Sequence, residues 1–502
     1  MSENLFSFFA AAIPDPNRAF LLPPDPRDAI SFHQAFACAG RFAHLLASRG
    51  VKRGDRVAVQ VEKSPEAVFL YFACLRLGAI YVPFNPAYTA DELAYLISDA
   101  EPALLVCVPE KEGVARSLFS QGPILTLGGN GETGSLIQEA RDMPEDFSNA
   151  VMADNDLAAI LYTSGTTGRS KGAMLSHGNL RSNAVALKDL WQFSDKDVLL
   201  HVLPIFHTHG LFVAINVALA ASSSIIFLPK FDPDGIFHEL PRATVMMGVP
   251  TLYVRLLSDP RLDRAVRHMR LFVCGSAPLP VEIFIQWQER TGFTLLERYG
   301  MTETNMNTSN PYSGARKPGT VGLPLPGTEI RIVDRHGDAV PQGEVGMITV
   351  RGPNVFQGYW RQPDKTKAEL RADGFFVTGD LGCQDGDGYI SIVGRGKDLV
   401  ISGGLNVYPR EVETSLNALP GVTDSAVFGL PHPDLGEGVT AAVVAEHGMT
   451  EARILAALEN RLANFKRPKR ILFVDEIPRN AMGKVQKPLL QKKYSGLYME
   501  GK

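Results

Sequence analysis

An apolar stretch, Ala158-Ala-Ile-Leu-Tyr162, runs into Thr163-Ser-Gly-Thr-Thr-Gly-Arg-Ser-Lys-Gly172, a loop of small, hydroxylated and glycine residues. Gly165 and Gly168 let backbone N–H groups turn inward and approach an anion closely. Thr163, Ser164, Thr166 and Thr167 add hydroxyl donors, and Lys171 adds a mobile positive charge. The chemistry this suits is polyphosphate binding. The loop is not a Walker loop, which requires G-x-x-x-x-G-K-[ST]. Here the fifth residue after Gly165 is Ser170, and Gly172 follows Lys171. A short Gly/Ser/Thr run alone would read as a surface turn; this one is long and follows a buried strand, which points to phosphate. Gly129-Asn-Gly131-Glu-Thr-Gly134 matches GxGxxG, but no second strand ending in an acid follows it, so a surface loop is expected there rather than a dinucleotide site.

The elements that must hold such a loop are visible in the patterning. A helix is expected over 31–49, a strand over 56–61, a helix over 65–77 ending at Gly78, and a strand over 103–108. This alternation predicts an α/β fold with parallel-rich sheets and covering helices. Near residue 395 the texture changes to Gly394-Arg-Gly-Lys-Asp398, with Gly403-Gly404 close behind. About a hundred residues then follow their own pattern: helix over 407–416, strands over 424–429 and 439–445, helix over 450–462, strand over 471–474. The expectation is a large N-terminal domain, 1–396, and a small mobile C-terminal α+β domain, 397–502.

Composition narrows the class. The chain has 502 residues, 45% apolar and 21% charged, with a formal net charge of −4. That is ordinary for a globular protein and argues against bulk nucleic-acid binding. Five scattered cysteines without a CxxC pair fit a reducing compartment rather than a disulfide framework. No secretory signal is apparent. The stretch 211–228 is interrupted by Asn216 and by Ser222–Ser224, so it reads as a buried helix over 210–220 and a strand over 224–228, not a membrane span. A cytoplasmic protein without membrane or nucleic-acid partners is expected, and a monomer. The basic run Lys466-Arg-Pro-Lys-Arg470 reads as a solvated face.

The motifs Tyr162 to Gly172, Tyr299-Gly-Met-Thr-Glu303, Thr378-Gly-Asp380, Gly394-Arg-Gly-Lys-Asp398 and Pro478-Arg-Asn-Ala-Met-Gly-Lys484 resemble, in order, those of the adenylate-forming superfamily. That superfamily comprises acyl-CoA synthetases, peptide-synthetase adenylation domains and firefly-type luciferases. The stretches His207-Thr-His-Gly-Leu211, Leu271 to Leu279 and Glu297 to Thr308 resemble the malonyl-CoA synthetases within it. The resemblance implies an adenylate-forming enzyme fold and an AMP-forming ligase. A carboxylate attacks the α-phosphate of ATP, pyrophosphate leaves, and the acyl-adenylate passes to the thiol of coenzyme A.

The resemblance also implies roles. The loop from Thr163 to Lys171 would hold the β- and γ-phosphates, and Thr302 would donate to the α-phosphate. Glu303 would hold Mg²⁺, Tyr299 would pack on adenine, Asp380 would accept from the ribose hydroxyls, and Arg395 would assist. Lys484 would bridge the carboxylate and the α-phosphate. Acetylation would remove its charge, so an acetyltransferase and a deacetylase acting on Lys484 are possible regulatory partners. Lys397 occupies the hinge position about which the small domain would rotate between half-reactions. Gly403 and Gly404 would then face the site and let the pantetheine arm pass, although a plain turn explains them equally well.

Arg298 bears on the choice of acid. A guanidinium removed from water costs several kcal/mol unless an anion meets it, and a second carboxylate on the substrate would meet it. Ser276 would add a hydroxyl donor, and His207 would border the reacting carboxylate. A small dicarboxylic acid such as malonate or methylmalonate is expected; a single methyl group does not separate the two. An Arg298–Glu297 ion pair is the alternative that spacing leaves open. His201, His207 and His209 lack a carboxylate or cysteine companion, so zinc is not expected. Rival activities are another small-acid CoA ligase, a carrier-protein acyl ligase, a luciferase-like oxygenase and an inactive ATP-binding regulator.

Overall fold

Two early helices start where a serine side chain satisfies a free backbone N–H. The computed structural model describes residues 3–23, 28–163, 170–459, 461–480 and 483–498. Ser31 caps the helix Phe32–Ser48 in a capping box with Gln34. Ser64 caps Pro65–Leu77, which ends at Gly78 in the left-handed conformation (φ 74°) that glycine tolerates without penalty.

Between these helices run short apolar strands. Arg56–Gln60, Ile80–Pro83, Leu104–Cys107, Ile124–Thr126 and Leu157–Thr163 form a parallel sheet, extended antiparallel by Lys171–Ser176. Successive residues feed opposite faces: Val57, Val59, Leu104, Val106, Ala159 and Leu161 join one apolar cluster, whereas Ala58, Leu105, Cys107 and Ile160 join another. A nine-stranded sheet lies beside it. Its six parallel strands, Ala19–Leu22, Ser224–Phe227, Val198–His201, Val245–Gly248, Leu271–Cys274 and Leu296–Met301, carry antiparallel strands at both ends. A third sheet, Glu329–Val333, Gly346–Arg351, Phe376–Gln384 and Ile390–Arg395, is antiparallel throughout, which the alternating pattern upstream does not foretell.

Beyond residue 399 the chain builds a separate sheet around Gly436–Ala445, with helices Pro409–Asn417 and Glu451–Leu458. Its strands again alternate: Val427, Val439, Ala441 and Val443 belong to one cluster, and Ala426, Phe428, Leu430 and Ala442 to another. The helix expected from 407 starts at Pro409, because Leu405–Val407 pairs as a strand.

The apolar stretch 211–228 becomes a π-helical turn, His209–Ile215, then a helix, Asn216–Ala220, and a buried strand, Ser224–Phe227. Among the described residues no helix is long and apolar enough to cross a membrane. All five cysteines are free; Cys74, Cys107 and Cys274 are buried, Cys38 and Cys383 half-buried. The basic run is spent on ion pairs: Lys466 with Glu411, Arg467 with Glu459 and Arg470 with Glu451.

Candidate active site

Thr163 and Lys171 face each other as the last rungs of an antiparallel ladder. Two side chains from the helix Ala90–Ala100 fix that ladder: the Tyr162 hydroxyl donates to Asp99 Oδ2 (2.6 Å), and the Tyr95 hydroxyl donates to the Ser170 carbonyl (2.9 Å). Ser164, Gly165, Thr166, Thr167 and Gly168 lie outside the described residues. Lys171 is 8% exposed; its Nζ lies 3.5 Å from Glu369 Oε2 and 4.1 Å from the centre of the Tyr359 ring.

Thr163 and Lys171 open onto a cavity of about 310 Å³, which Thr302, Glu303, Glu369, Arg395, Lys397 and Lys484 also line. Four cationic side chains around one small space suit several phosphates. Thr302 and Glu303 sit on the turn between the strands Leu296–Met301 and Asn305–Ser309. The Tyr359 hydroxyl lies 3.0 Å from Glu303 Oε1 and 2.6 Å from Glu369 Oε2, its one proton serving one carboxylate at a time. Burial raises the Glu303 pKa, against the pull of Tyr359, Lys171 and Arg395. A buried anionic oxygen donor beside these cations fits magnesium, which keeps its remaining positions for phosphate and water.

Deeper in, Tyr299 donates its hydroxyl to Asp380 Oδ2 (2.6 Å), and Arg395 Nε lies 2.9 Å from Asp380 Oδ1. Asp380 is therefore held by both neighbours while its remaining lone pairs can accept from a diol. Lys484 is hemmed in by protein yet open to solvent through the cavity. Burial lowers its pKa first, then Arg395; Asp380 and Glu303 oppose this.

The strand Leu296–Met301 leads from this space to a second cluster of buried polar side chains. A bulge at Tyr299/Gly300 re-aims its end, and Gly300 has no room for a side chain: a Cβ would lie 1.8 Å from the Asn305 carbonyl oxygen. Arg298 is 2% exposed, and its Nε and Nη2 have no hydrogen-bond partner. Burial lowers its pKa to about 10. Glu297 faces the other way, as strand neighbours must, and its Oε1 accepts from the Leu279 N–H (3.3 Å). Among the described residues no carboxylate forms an ion pair with Arg298, so the Arg298–Glu297 pair left open by spacing does not form. Gly275 makes space for the guanidinium, since a Cβ there would lie 2.7 Å from Arg298 Cζ.

Ser276 adopts φ 71°, strained for a serine, and its hydroxyl lies 3.1 Å from His209 Nδ1. Burial, then the charges of Lys484 and Arg298, lower the His207 pKa to about 3, so its ring is neutral. His209 is likewise pushed far down, by burial first and Arg298 next, and its Nε2 is unpaired. The charges of both Lys484 and Arg298 reach the His207 ring, which links the cavity lysine to this cluster.

The structure thus gathers Thr163, Lys171, Thr302, Glu303, Arg395, Lys397 and Lys484 around one cavity, sets Asp380 behind Arg395, and clusters Arg298, Ser276 and His207 separately. Gly403 and Gly404 are not among them; they form an exposed hairpin tip with φ 59° and 80°. Sequence reasoning missed Tyr359 and Glu369, which lie in a segment without clear periodicity. It also missed His209 as a pocket residue, having weighed it only as a metal ligand. Among the described residues no group of three or more His, Cys, Asp or Glu side chains could hold a metal ion by itself.

The chain is similar to known proteins over nearly its whole length. Residues 8–360 match the AMP-binding enzyme family, and residues 411–484 match the AMP-binding enzyme C-terminal domain. The chain is similar to the ATP-bound crystal structure of MatB from Rhodopseudomonas palustris: 54% identity, TM-score 0.97, covering 99% of this chain and 100% of that one. Against the apo structure of the same protein the TM-score is 0.85. It is also similar to a malonate–CoA ligase from Arabidopsis thaliana, 36% identical over 88% of this chain and 78% of that protein. A feruloyl-CoA synthase from Amycolatopsis is 35% identical over 93% and 94%.

Proposed function

The chain belongs to the AMP-binding enzyme family, and from that premise we propose that this AMP-forming acid–CoA ligase takes malonate, or its methyl derivative, as its acid. The relatives activate different acids, so the pocket has to decide. The observation that supports malonate is the Arg298 guanidinium, buried with two unpaired nitrogens, Nε and Nη2, and no protein carboxylate paired with it among the described residues. Leaving such a charge without a counter-ion costs several kcal/mol. A distal carboxylate on the substrate removes that cost and receives charge-assisted bonds, with His209 Nε2–H as a further donor once the Ser276 hydroxyl donates to His209 Nδ1 and fixes that tautomer.

On this reading the acid lies between two cations. Arg298 holds its far carboxylate, and Lys484 holds the near one against the α-phosphate. Two anions that repel in water are thereby brought together with their charge spread. The near carboxylate oxygen bonds to the α-phosphorus as the bond to the bridging oxygen breaks, and pyrophosphate departs toward Lys171. Glu303 would hold magnesium, which when bound neutralises phosphate charge. Asp380, set by Tyr299 and Arg395, orients the ribose. His207, neutral beside the reacting carboxylate, adds no charge of its own. A coenzyme A thiolate then attacks the acyl carbon and AMP leaves.

Arg298→Ala tests the choice of acid. Malonate-dependent pyrophosphate release should fall by about a thousand-fold, as expected for a charge pair worth about 3–5 kcal/mol, with ATP affinity nearly unchanged. Malonate turnover close to that of the unaltered enzyme would rule the assignment out.

A further inference from the structure

Lys484 lies on an irregular turn rather than on a helix or strand, yet the chemistry assigned to it needs its ammonium fixed to within about half an ångström. The turn is closed by itself. The Asn480 N–H donates to the Lys484 carbonyl (2.9 Å), the Gly483 N–H donates to the Asn480 carbonyl (2.8 Å), and the Lys484 N–H donates to Asn480 Oδ1 (3.0 Å). Gly483 makes the reversal at φ 74°. Below it Arg479 bridges Val485 and the Gln486 N–H donates to the Pro478 carbonyl (2.8 Å), which ties the two legs of the turn to each other.

One side chain next to the turn reaches beyond it. Arg479 Nη1 donates to the Gly483 carbonyl (2.9 Å), the peptide immediately before Lys484. Its Nη2 donates to both oxygens of Asp424 (2.7 and 3.0 Å) on the strand Val422–His432. Asp424 is itself oriented, since its Oδ1 accepts from the Ser425 N–H (2.9 Å). The planar guanidinium therefore links the backbone in front of the lysine to the small sheet in a fixed geometry, which a flexible ammonium could not reproduce.

We propose that Arg479, held by Asp424, is the positioning residue for Lys484, and that the pair serves the adenylation step rather than the stability of the fold. The proposal rests on the reading of Lys484 as the adenylation lysine. Arg479 and Asp424 are each 31% exposed, and an exposed ion pair contributes only about 0–1 kcal/mol to stability. Its loss should leave the sheet intact and free the turn to swing.

The test separates the two half-reactions in Arg479→Ala, Arg479→Lys, Asp424→Asn and, as reference, Lys484→Ala. Pyrophosphate release is measured with whichever acid the unaltered enzyme turns over, and thioester formation with acyl-adenylate and coenzyme A supplied. Arg479→Ala should slow pyrophosphate release by about ten- to a hundred-fold through kcat, with KM for ATP and thioester formation within about two-fold of the unaltered enzyme. Arg479→Lys should rescue little, and the melting temperature should hardly move. Equal loss in both half-reactions, or full pyrophosphate release, in Arg479→Ala and Asp424→Asn would overturn the proposal. If Lys484→Ala itself released pyrophosphate normally, the reading of Lys484 would fall, and the positioning role with it.

Discussion

Glu297 and Arg298 are neighbours in the chain and opposites in the fold. Strand alternation sends the acid toward the Leu279 N–H and the guanidinium toward Gly275 and the buried His209. The chemistry of the acid site follows from that half-turn of backbone. His209 extends it. Its ring is neutral, takes the Ser276 hydroxyl on Nδ1, and leaves Nε2 buried and unpaired beside the charge of Arg298. His209→Ala should raise KM for the dicarboxylate by about ten-fold or more, the range expected for one buried hydrogen bond, with KM for ATP unchanged. Steady-state kinetics with each substrate varied in turn would show this; a rise for ATP alone would place His209 elsewhere. Arg298 was legible as a cation in need of an anion, but spacing left open whether Glu297 or a substrate supplied it. His209 was not, because a histidine's role depends on which ring nitrogen meets what.

At the scale of elements, helix starts and stops were readable because caps are local chemistry. Ser31, Ser64 and Gly78 stand within a few residues of the groups they satisfy. The π-helical turn His209–Ile215 was not readable. Gly210 packs against the Pro204 carbonyl, where a Cβ would lie 2.0 Å from the oxygen, and that contact crosses elements. His177 makes a similar link for the N-terminal helix Leu5–Ala11: it is fully buried and its Nδ1 accepts from the Leu5 N–H (3.0 Å). Burial lowers its pKa to about 4, whereas an unfolded histidine titrates near its ordinary value, about 6.5. Between those values the unfolded chain binds the extra proton. The stabilisation is therefore complete above about pH 6.5 and drains away as pH falls toward 4, by at most about 3 kcal/mol. In His177→Asn, whose amide oxygen can replace the acceptor, the urea midpoint should fall less steeply over this window. Parallel curves would exclude the link.

At the scale of the molecule, Lys484 and Lys397 meet the nucleotide cavity together. The family resemblance implies that Lys484 leaves before thiol attack and that the exposed tip at Gly403 and Gly404 then faces the site, where a plain turn is the other reading of those glycines. Rotation about Lys397 in the turn Gly396–Asp398 is the proposed route. Because Lys397 also lends its charge to the cavity, two variants are needed. Lys397→Ala removes only the ammonium, whereas Lys397→Pro also locks φ. Both should lose the same part of pyrophosphate release, and only Lys397→Pro should also lose thioester formation. Thioester formation at the Lys397→Ala rate in the proline variant would count against the hinge.

The sequence by itself determined what is local or carried by contiguous motifs: the alternating α/β texture, the caps, the phosphate-type loop, and the order of motifs from Tyr162 to Lys484. Period and spacing act over a few residues and leave their mark in the chain. The tertiary structure alone decided which groups meet. It set Tyr359 between Glu303 and Glu369, tied Tyr299 to Asp380, paired Ser276 with His209, and left Arg298 without a protein counter-ion. Such pairings join residues 10 to 81 positions apart. Their strength depends on burial and angle, which no stretch of sequence contains until the sheets have packed.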